Sequence, residues 1–304
     1  MEKCAFLFAG QGCQYIGMGE DLYQAFAESK AVFDQADKVL GFSLSRLCFQ
    51  GPQQDLAETC NSQPAILTVS MAAYAAFQAA SSVQRPAFVA GLSLGEYSAL
   101  VAAEALSFRD ALYLVRRRGE FMEEAARENP GKMLSVIGLG LPAVRKICQE
   151  SKTEIANINC PGQTVISGGR QEIEKAQALA EGQGAKMTVL LEVSGAFHSS
   201  FMQGAALKFS PEIEKVKISA PKIPVVSNVT ARPAASAREI KENLVKQVAS
   251  SVLWEDSMRF ILSAGVKNFL EFGPGKVLKG LLRRIDPQAR VTSIENKNDI
   301  LALP

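Results

Sequence analysis

Short apolar runs and longer stretches of helical spacing take turns along the first part of the chain. Residues 4–9 are an apolar run that stops at Gly10, the pattern of a buried strand. Residues 23–40 carry apolar side chains at helical spacing, with Gly41 as a stop signal. Pro64 is placed to open a buried helix that reaches Ala80. Residues 87–90 predict a second short strand and 96–106 a helix rich in alanine and leucine. The next helix is predicted over 108–126, with Leu112, Val115, Phe121 and Met122 at its apolar positions. Strands that alternate with helices predict an α/β protein with a mainly parallel sheet covered on both faces.

The middle of the chain has a different rhythm. Strands are predicted at 132–139, 154–158, 164–168 and 186–193, and helices at 142–150 and 172–183, the latter ended by Gly184. This β-α-β-β-α-β order is the ferredoxin-like unit. It divides the chain into a main domain of residues 1–128 and 197–304 and an inserted small domain of residues 129–196. Beyond the insert, strands are predicted at 224–228, 266–272 and 289–294, and helices at 237–250, 254–264 and 276–284. The cleft is expected at the seam between the insert and the main sheet, where sites favour domain interfaces.

Composition narrows the class. Of 304 residues 47% are apolar and 21% charged, an ordinary globular balance. A net charge of +2, with no basic run interleaved with aromatics, argues against nucleic acid as a partner. The six cysteines form no CxxC pair, and one histidine is too few for a zinc site, so no metal is expected. Scattered thiols of this kind suit a reducing, cytoplasmic setting. Met1 to Phe8 lack the longer apolar core of a signal peptide. The most apolar stretch, 65–80, carries Thr68, Ser70 and Gln78 and falls short of the ~20 residues of a membrane span. It reads as a buried helix.

The candidate chemistry is a pairing. Gly91-Leu92-Ser93-Leu94-Gly95 is a GxSxG motif between a predicted strand and a predicted helix, the setting that lifts a serine hydroxyl to a sharp, exposed corner. Such a hydroxyl needs a base, and the only imidazole in the chain is His198. GxSxG alone arises by chance, and lone histidines are often structural. The small polar residues around His198, in Ser194-Gly195-Ala196-Phe197-His198-Ser199-Ser200, suit a cleft better than a packed core. Gly10-Gln11-Gly12 ends the first strand and is open to three readings: a phosphate cradle, a plain tight turn or an oxyanion hole. The Lys-Ser/Thr ending of a nucleotide loop is missing. The oxyanion reading uses the N–H groups of Leu94 and Gln11, each such donor typically supplying on the order of 3 kcal/mol.

These residues resemble a family. Phe8-Ala9-Gly10-Gln11-Gly12-Cys13-Gln14, Gly91 to Leu100, Arg118-Gly119 and Asn159-Cys160-Pro161-Gly162-Gln163 match, in order, the motifs of malonyl-CoA:acyl carrier protein transacylases. Gly195-Ala196-Phe197-His198 and Glu271-Phe272-Gly273-Pro274-Gly275-Lys276 complete the series. The resemblance spans nearly the whole chain and implies an α/β-hydrolase-like domain with a ferredoxin-like insert. It implies that Ser93 attacks malonyl-CoA with His198 as base. The malonyl ester then passes to the phosphopantetheine thiol of holo acyl carrier protein. It implies Arg118 as the holder of the substrate carboxylate and the backbone carbonyl of Gln247 as the group that orients His198. Gln63 matches a family position near the site, and Asn159 and Gln163 match the stretch that lines the pantetheine channel in relatives, all three implied as substrate-binding; Phe197, an aromatic ring beside the base, implies a preference for malonyl over the bulkier methylmalonyl. No tightly bound cofactor is implied, CoA being part of the substrate, and the family gives no reason to expect more than a monomer.

One position departs from the pattern: Leu92 stands where the family commonly has histidine, which removes a polar wall but not the base. Glu96 is expected on the outward side of its helix or as a cap. Lys276, Lys279, Arg283 and Arg284 share one helix and suit either an acidic carrier or plain solvent. A hydrolase of esters or acyl carriers on the same fold, and a silent carrier-binding scaffold, are the competing readings. A hydrolase of simple acyl groups has no use for a buried Arg118. Fatty-acid and polyketide synthesis are not separated, although a chain without fused domains leans to the former.

Overall fold

The computed structural model describes residues 3–81 and 85–303, so Met1 and Glu2 of the N-terminal reading lie outside the described residues. The protein is α/β and has two separate sheets. Five parallel strands form the larger one: β1 (Cys4–Phe8), β2 (Phe88–Gly91), β7 (Val225–Val226), β8 (Asn268–Phe272) and β9 (Arg290–Ile294). Their order is β7-β2-β1-β8-β9. The smaller sheet is antiparallel and consists of β3 (Lys132–Ile137), β4 (Glu154–Cys160), β5 (Gln163–Gly168) and β6 (Met187–Leu190), in the order β4-β5-β3-β6. With helices Leu141–Ser151 and Arg170–Gly182 it makes the expected ferredoxin-like unit.

Period-two alternation assigns each strand's faces. In β1, Phe6 and Phe8 join the core beneath helix Thr59–Ala80, while Ala5 and Leu7 face the core under helices Trp254–Ser263 and Val277–Ile285. In the small sheet, Leu134, Val136 and Ile166 pack on its two helices, whereas Met133 and Val165 turn toward the larger body. The sheets are clipped together at β4: Ile158 N–H donates to Val252 O (2.9 Å) and Val252 N–H to Ala156 O (2.8 Å).

Several elements differ from the sequence reading. The helix expected over 23–40 is two helices, Glu20–Ala25 and Ala27–Leu40. Extended Phe26 ends one and begins the other, and the turn brings Tyr23 within 5.8 Å of Phe33 and 5.4 Å of Phe49 between ring centroids. Pro64 does not open its helix but lies inside Thr59–Ala80. A proline there has no N–H for the carbonyl of Cys60. Arg116 Nη1 donates to that carbonyl instead, at 3.0 Å. The helix expected over 96–106 stops at Ala102, because Glu104 adopts a left-handed φ of 56°. Helix Gln203–Glu214 and the short helices Leu44–Gln50 and Gln53–Ala57 are additional to the elements expected from the sequence.

The carboxyl ends of parallel strands form a crevice, and β1 and β2 deliver Gly10-Gln11 and Ser93 there. Close backbone contact makes this possible. A Cβ on Gly95 would lie 2.2 Å from Phe8 O and 2.8 Å from Ala9 O, so the helix after Ser93 rests directly on the end of β1. Gly95→Ala should therefore cost about 3 kcal/mol or prevent folding. Gly280→Ala, in an open helical position with nothing within 4 Å of the new Cβ, should stabilise by about 0.5–1 kcal/mol. Denaturant midpoints of the two variants check both signs; equal effects would contradict the packing described.

Candidate active site

Ser93 occupies the corner between β2 and helix Gly95–Ala102 with a φ of 51°, a left-handed conformation that a non-glycine residue adopts only under constraint. The constraint is visible. Ser93 N–H donates to Asn228 Oδ1 at 2.6 Å, and Asn228 Nδ2 donates to Gly91 O at 2.8 Å. Gln247 Nε2 donates to Ser93 O at 3.0 Å. Two side-chain amides thus hold the serine backbone from both sides. Asn228 follows β7, a buried strand of only two residues, and sequence reading passed it over. A polar residue at the carboxyl end of a parallel strand was the available signal.

The serine hydroxyl lies 2.8 Å from His198 Nε2. The other ring nitrogen, Nδ1, lies 2.8 Å from the main-chain oxygen of Gln247. A carbonyl oxygen can only accept, so Nδ1 carries the proton and Nε2 presents its lone pair to Ser93. His198 is 5% exposed. Burial, followed by the neighbouring Arg118 charge, pushes its pKa down to about 4.

Arg118 comes from helix Phe108–Glu128 and is 1% exposed. Its Nη1 donates to Gln63 Oε1 at 2.9 Å. Its Nη2 donates to Ser93 Oγ and to Gln247 Oε1, both at 3.0 Å. Nε is buried with no partner, and the guanidinium lies over the ring of Tyr97, 5.7 Å from its centroid. Among the described residues no carboxylate forms an ion pair with it.

Glu96 is not where the sequence reading put it. It is 3% exposed, and Oε2 accepts from Asn228 N–H (3.0 Å) and Gln247 Nε2 (2.7 Å). The first turns of its helix, from Gly95 to Leu100, are buried all round, so no outward side exists at that position. Burial pushes the carboxyl pKa up to about 7, against the pull of its donors and of Arg118.

Ser93, His198 and Phe197 line a cavity of about 180 Å³ whose apolar wall includes Leu92 and Met122. Gln11, Asn159 and Gln163 face the same cavity. Asn159 Oδ1 is buried without a partner, and Gln163 Oε1 accepts from Arg284 Nη1 at 2.7 Å. Gln63 does not line the cavity; it is fully buried behind Arg118. The N–H groups of Leu94 and Gln11 donate to no acceptor among the described residues. Those residues contain no cluster of three metal-ligating side chains, and no helix among them is long and apolar enough to cross a membrane.

Residues 5–286 match the acyl transferase domain family. The chain is 44% identical, over 99% of its own length and 96% of the relative's, to the malonyl CoA-acyl carrier protein transacylase of Bacillus subtilis (strain 168). The corresponding protein of Staphylococcus aureus (strain MRSA252) is 40% identical over 99% and 98%. Among solved structures, a malonyl CoA-acyl carrier protein transacylase from Coxiella burnetii superposes with a TM-score of 0.96 at 36% identity, covering 99% of this chain and 96% of its own. A malonyl-transacylase solved in complex with its type II PKS acyl-carrier protein has a TM-score of 0.96 at 37% identity, covering 99% and 98%.

Because the chain has a single histidine, its imidazole signals need no assignment. An NMR titration should give a midpoint near 4. A midpoint near the ordinary value of about 6.5 would contradict the buried, cation-flanked environment described.

Proposed function

The chain belongs to the malonyl CoA-acyl carrier protein transacylases of the acyl transferase family, and from that premise we propose that it moves malonyl groups from malonyl-CoA to holo acyl carrier protein. The observation that carries the reading is the buried guanidinium of Arg118, 3.0 Å from the hydroxyl of Ser93. A cation held beside a nucleophile, with no ion-pair partner of its own, suits an acyl group that ends in a free carboxylate. Its planar fork matches that carboxylate in a charge-assisted contact.

In the first half-reaction Ser93 Oγ attacks the thioester carbonyl while His198 Nε2 takes the hydroxyl proton. The N–H groups of Gln11 and Leu94 receive the oxyanion. The C–S bond breaks, His198 passes its proton to the CoA sulfur, and a malonyl ester remains on Ser93. In the second, the phosphopantetheine thiol gives its proton to His198 and its sulfur attacks the ester. The C–O bond breaks and the proton returns to Ser93. Gln247 O keeps the imidazole in the required tautomer throughout, in place of a carboxylate. Gln63 holds Arg118 from behind. Asn159 and Gln163 face the cavity on the side where the pantetheine arm would enter. Phe197 narrows the cavity next to the base and disfavours an α-methyl branch by ~1–3 kcal/mol.

Malonyl-CoA is consumed as substrate, and this scheme calls on no resident cofactor. The main body of residues 1–128 and 197–304 supplies Ser93, His198, Arg118 and Gln247, and the insert of residues 129–196 supplies the facing wall. All four groups come from one chain, which supports action as a monomer. The six free thiols support a cytoplasmic setting.

Intact-mass measurement after mixing with malonyl-CoA should show a malonyl adduct that transfers to added holo carrier protein. Ser93→Ala should abolish it, and Arg118→Ala should slow its formation about 100-fold. An adduct that decays to free acid without a carrier would point to the hydrolase instead, and no adduct at all to a carrier-binding scaffold.

A further inference from the structure

Among the described residues, Glu96 is a buried carboxylate at the site that this transfer scheme leaves unused. It lies three residues after Ser93, and two of its donors belong to residues that touch Ser93. Asn228 N–H reaches Glu96 Oε2 at 3.0 Å, while the side chain of the same residue accepts the Ser93 N–H at 2.6 Å. Gln247 Nε2 reaches the same oxygen at 2.7 Å and shares its protons with Ser93 O at 3.0 Å. The other end of that amide, Oε1, accepts from Arg118 Nη2 at 3.0 Å, and the main-chain oxygen of Gln247 holds His198 Nδ1 at 2.8 Å.

A side-chain amide has two ends of similar shape and opposite polarity. With Nε2 toward Glu96, Gln247 offers Arg118 an acceptor. Turned over, it would set its NH₂ against the guanidinium, donor facing donor, and leave two buried groups unsatisfied. The acceptor at position 96 selects the first orientation together with Ser93 O, and of the two it makes the shorter contact to Nε2 (2.7 Å against 3.0 Å). The ionised carboxylate is acceptor-only. Its protonated form keeps lone pairs for Asn228 and Gln247, with the Ser227 hydroxyl also in contact. Among the described residues the charged group that faces it is Arg118.

We propose that Glu96 is a positioning residue: it fixes the orientation of the Gln247 amide and, through it, sets Arg118 on the substrate carboxylate and His198 on Ser93. This rests on the reading of Ser93, His198 and Arg118 given above.

Two variants and two rates test it. Glu96→Gln keeps an acceptor oxygen for Asn228 N–H and Gln247 Nε2 and can direct its own NH₂ at Ser227. Glu96→Ala removes the acceptor. The first rate is acylation of Ser93 by malonyl-CoA, followed by quenched-flow intact mass. The second is labelling of Ser93 by a small uncharged fluorophosphonate, which needs the Ser93–His198 pair but no anchor for a carboxylate. Glu96→Ala should lower acylation about 100-fold and labelling about tenfold, in line with the cost of small misplacements at reacting groups. The ratio of the two rates then falls about tenfold. Glu96→Gln should hold both within about threefold of the wild type. The proposal is overturned if Glu96→Ala leaves the rates intact or lowers both only by the unfolded fraction seen in circular dichroism. It is equally overturned if Glu96→Gln is as damaging as Glu96→Ala. If the wild type takes the fluorophosphonate but no malonyl group, the transferase reading fails and the labelling rates alone decide Glu96. No label on wild-type Ser93 would sink both.

Discussion

Burying a guanidinium without an opposing carboxylate is costly, and much of this protein is arranged to keep Arg118 in that state. Helix Phe108–Glu128 carries it, helix Thr59–Ala80 supplies Gln63, and helix Ala237–Val248 supplies Gln247. The turn after β2 brings Ser93, and helix Gly95–Ala102 lays the ring of Tyr97 beneath the charge. The close approach of the first two helices depends on the next residue. A Cβ on Gly119 would stand 2.6 Å from Cys60 Cα, so the absence of a side chain lets the backbones meet. Pro64 contributes at the same crossing, because the Cys60 carbonyl it leaves free accepts from Arg116. Neutral oxygens satisfy the guanidinium in part, and the free carboxylate of a substrate would complete it.

The charge also bears on the proposed base. Burial and, after it, the Arg118 charge disfavour imidazolium at His198, so the ring stays neutral with Nε2 facing the Ser93 hydroxyl. The same cation favours ionised Glu96, while burial opposes it more strongly. Opposite displacements of two neighbouring titrating groups are characteristic of a working site. Gln247 connects them: its carbonyl meets His198 Nδ1, its Oε1 meets the cation, and its Nε2 meets both Ser93 O and Glu96.

The strand-helix alternation of the main body and the βαββαβ order of the insert could be read from periodicity, because both depend on apolar spacing that a single chain displays. The elements that went astray are those decided by partners distant in sequence. Pro64 looks like a helix opener until Arg116, 52 positions on, supplies the donor that its ring lacks. Phe26 looks helical until the Tyr23, Phe33 and Phe49 rings require a bend. At the site, GxSxG and the lone histidine were legible as residue types with an evident chemistry. Asn228 and the inward aim of Glu96 were not, because their meaning lies in hydrogen bonds to Ser93 and Gln247 across more than a hundred residues. Arg118 was legible only through family likeness, since composition alone makes it one of three adjacent arginines.

If the substrate's own carboxylate completes the buried cation, calorimetric binding to the Ser93→Ala variant, which cannot be acylated, will show it. Malonyl-CoA should bind about 100-fold tighter than acetyl-CoA, the value of a buried charge pair of roughly 3 kcal/mol. Replacing Arg118 by methionine in that background should erase the difference. Equal affinities for the two thioesters, or a preference that survives without Arg118, would contradict it.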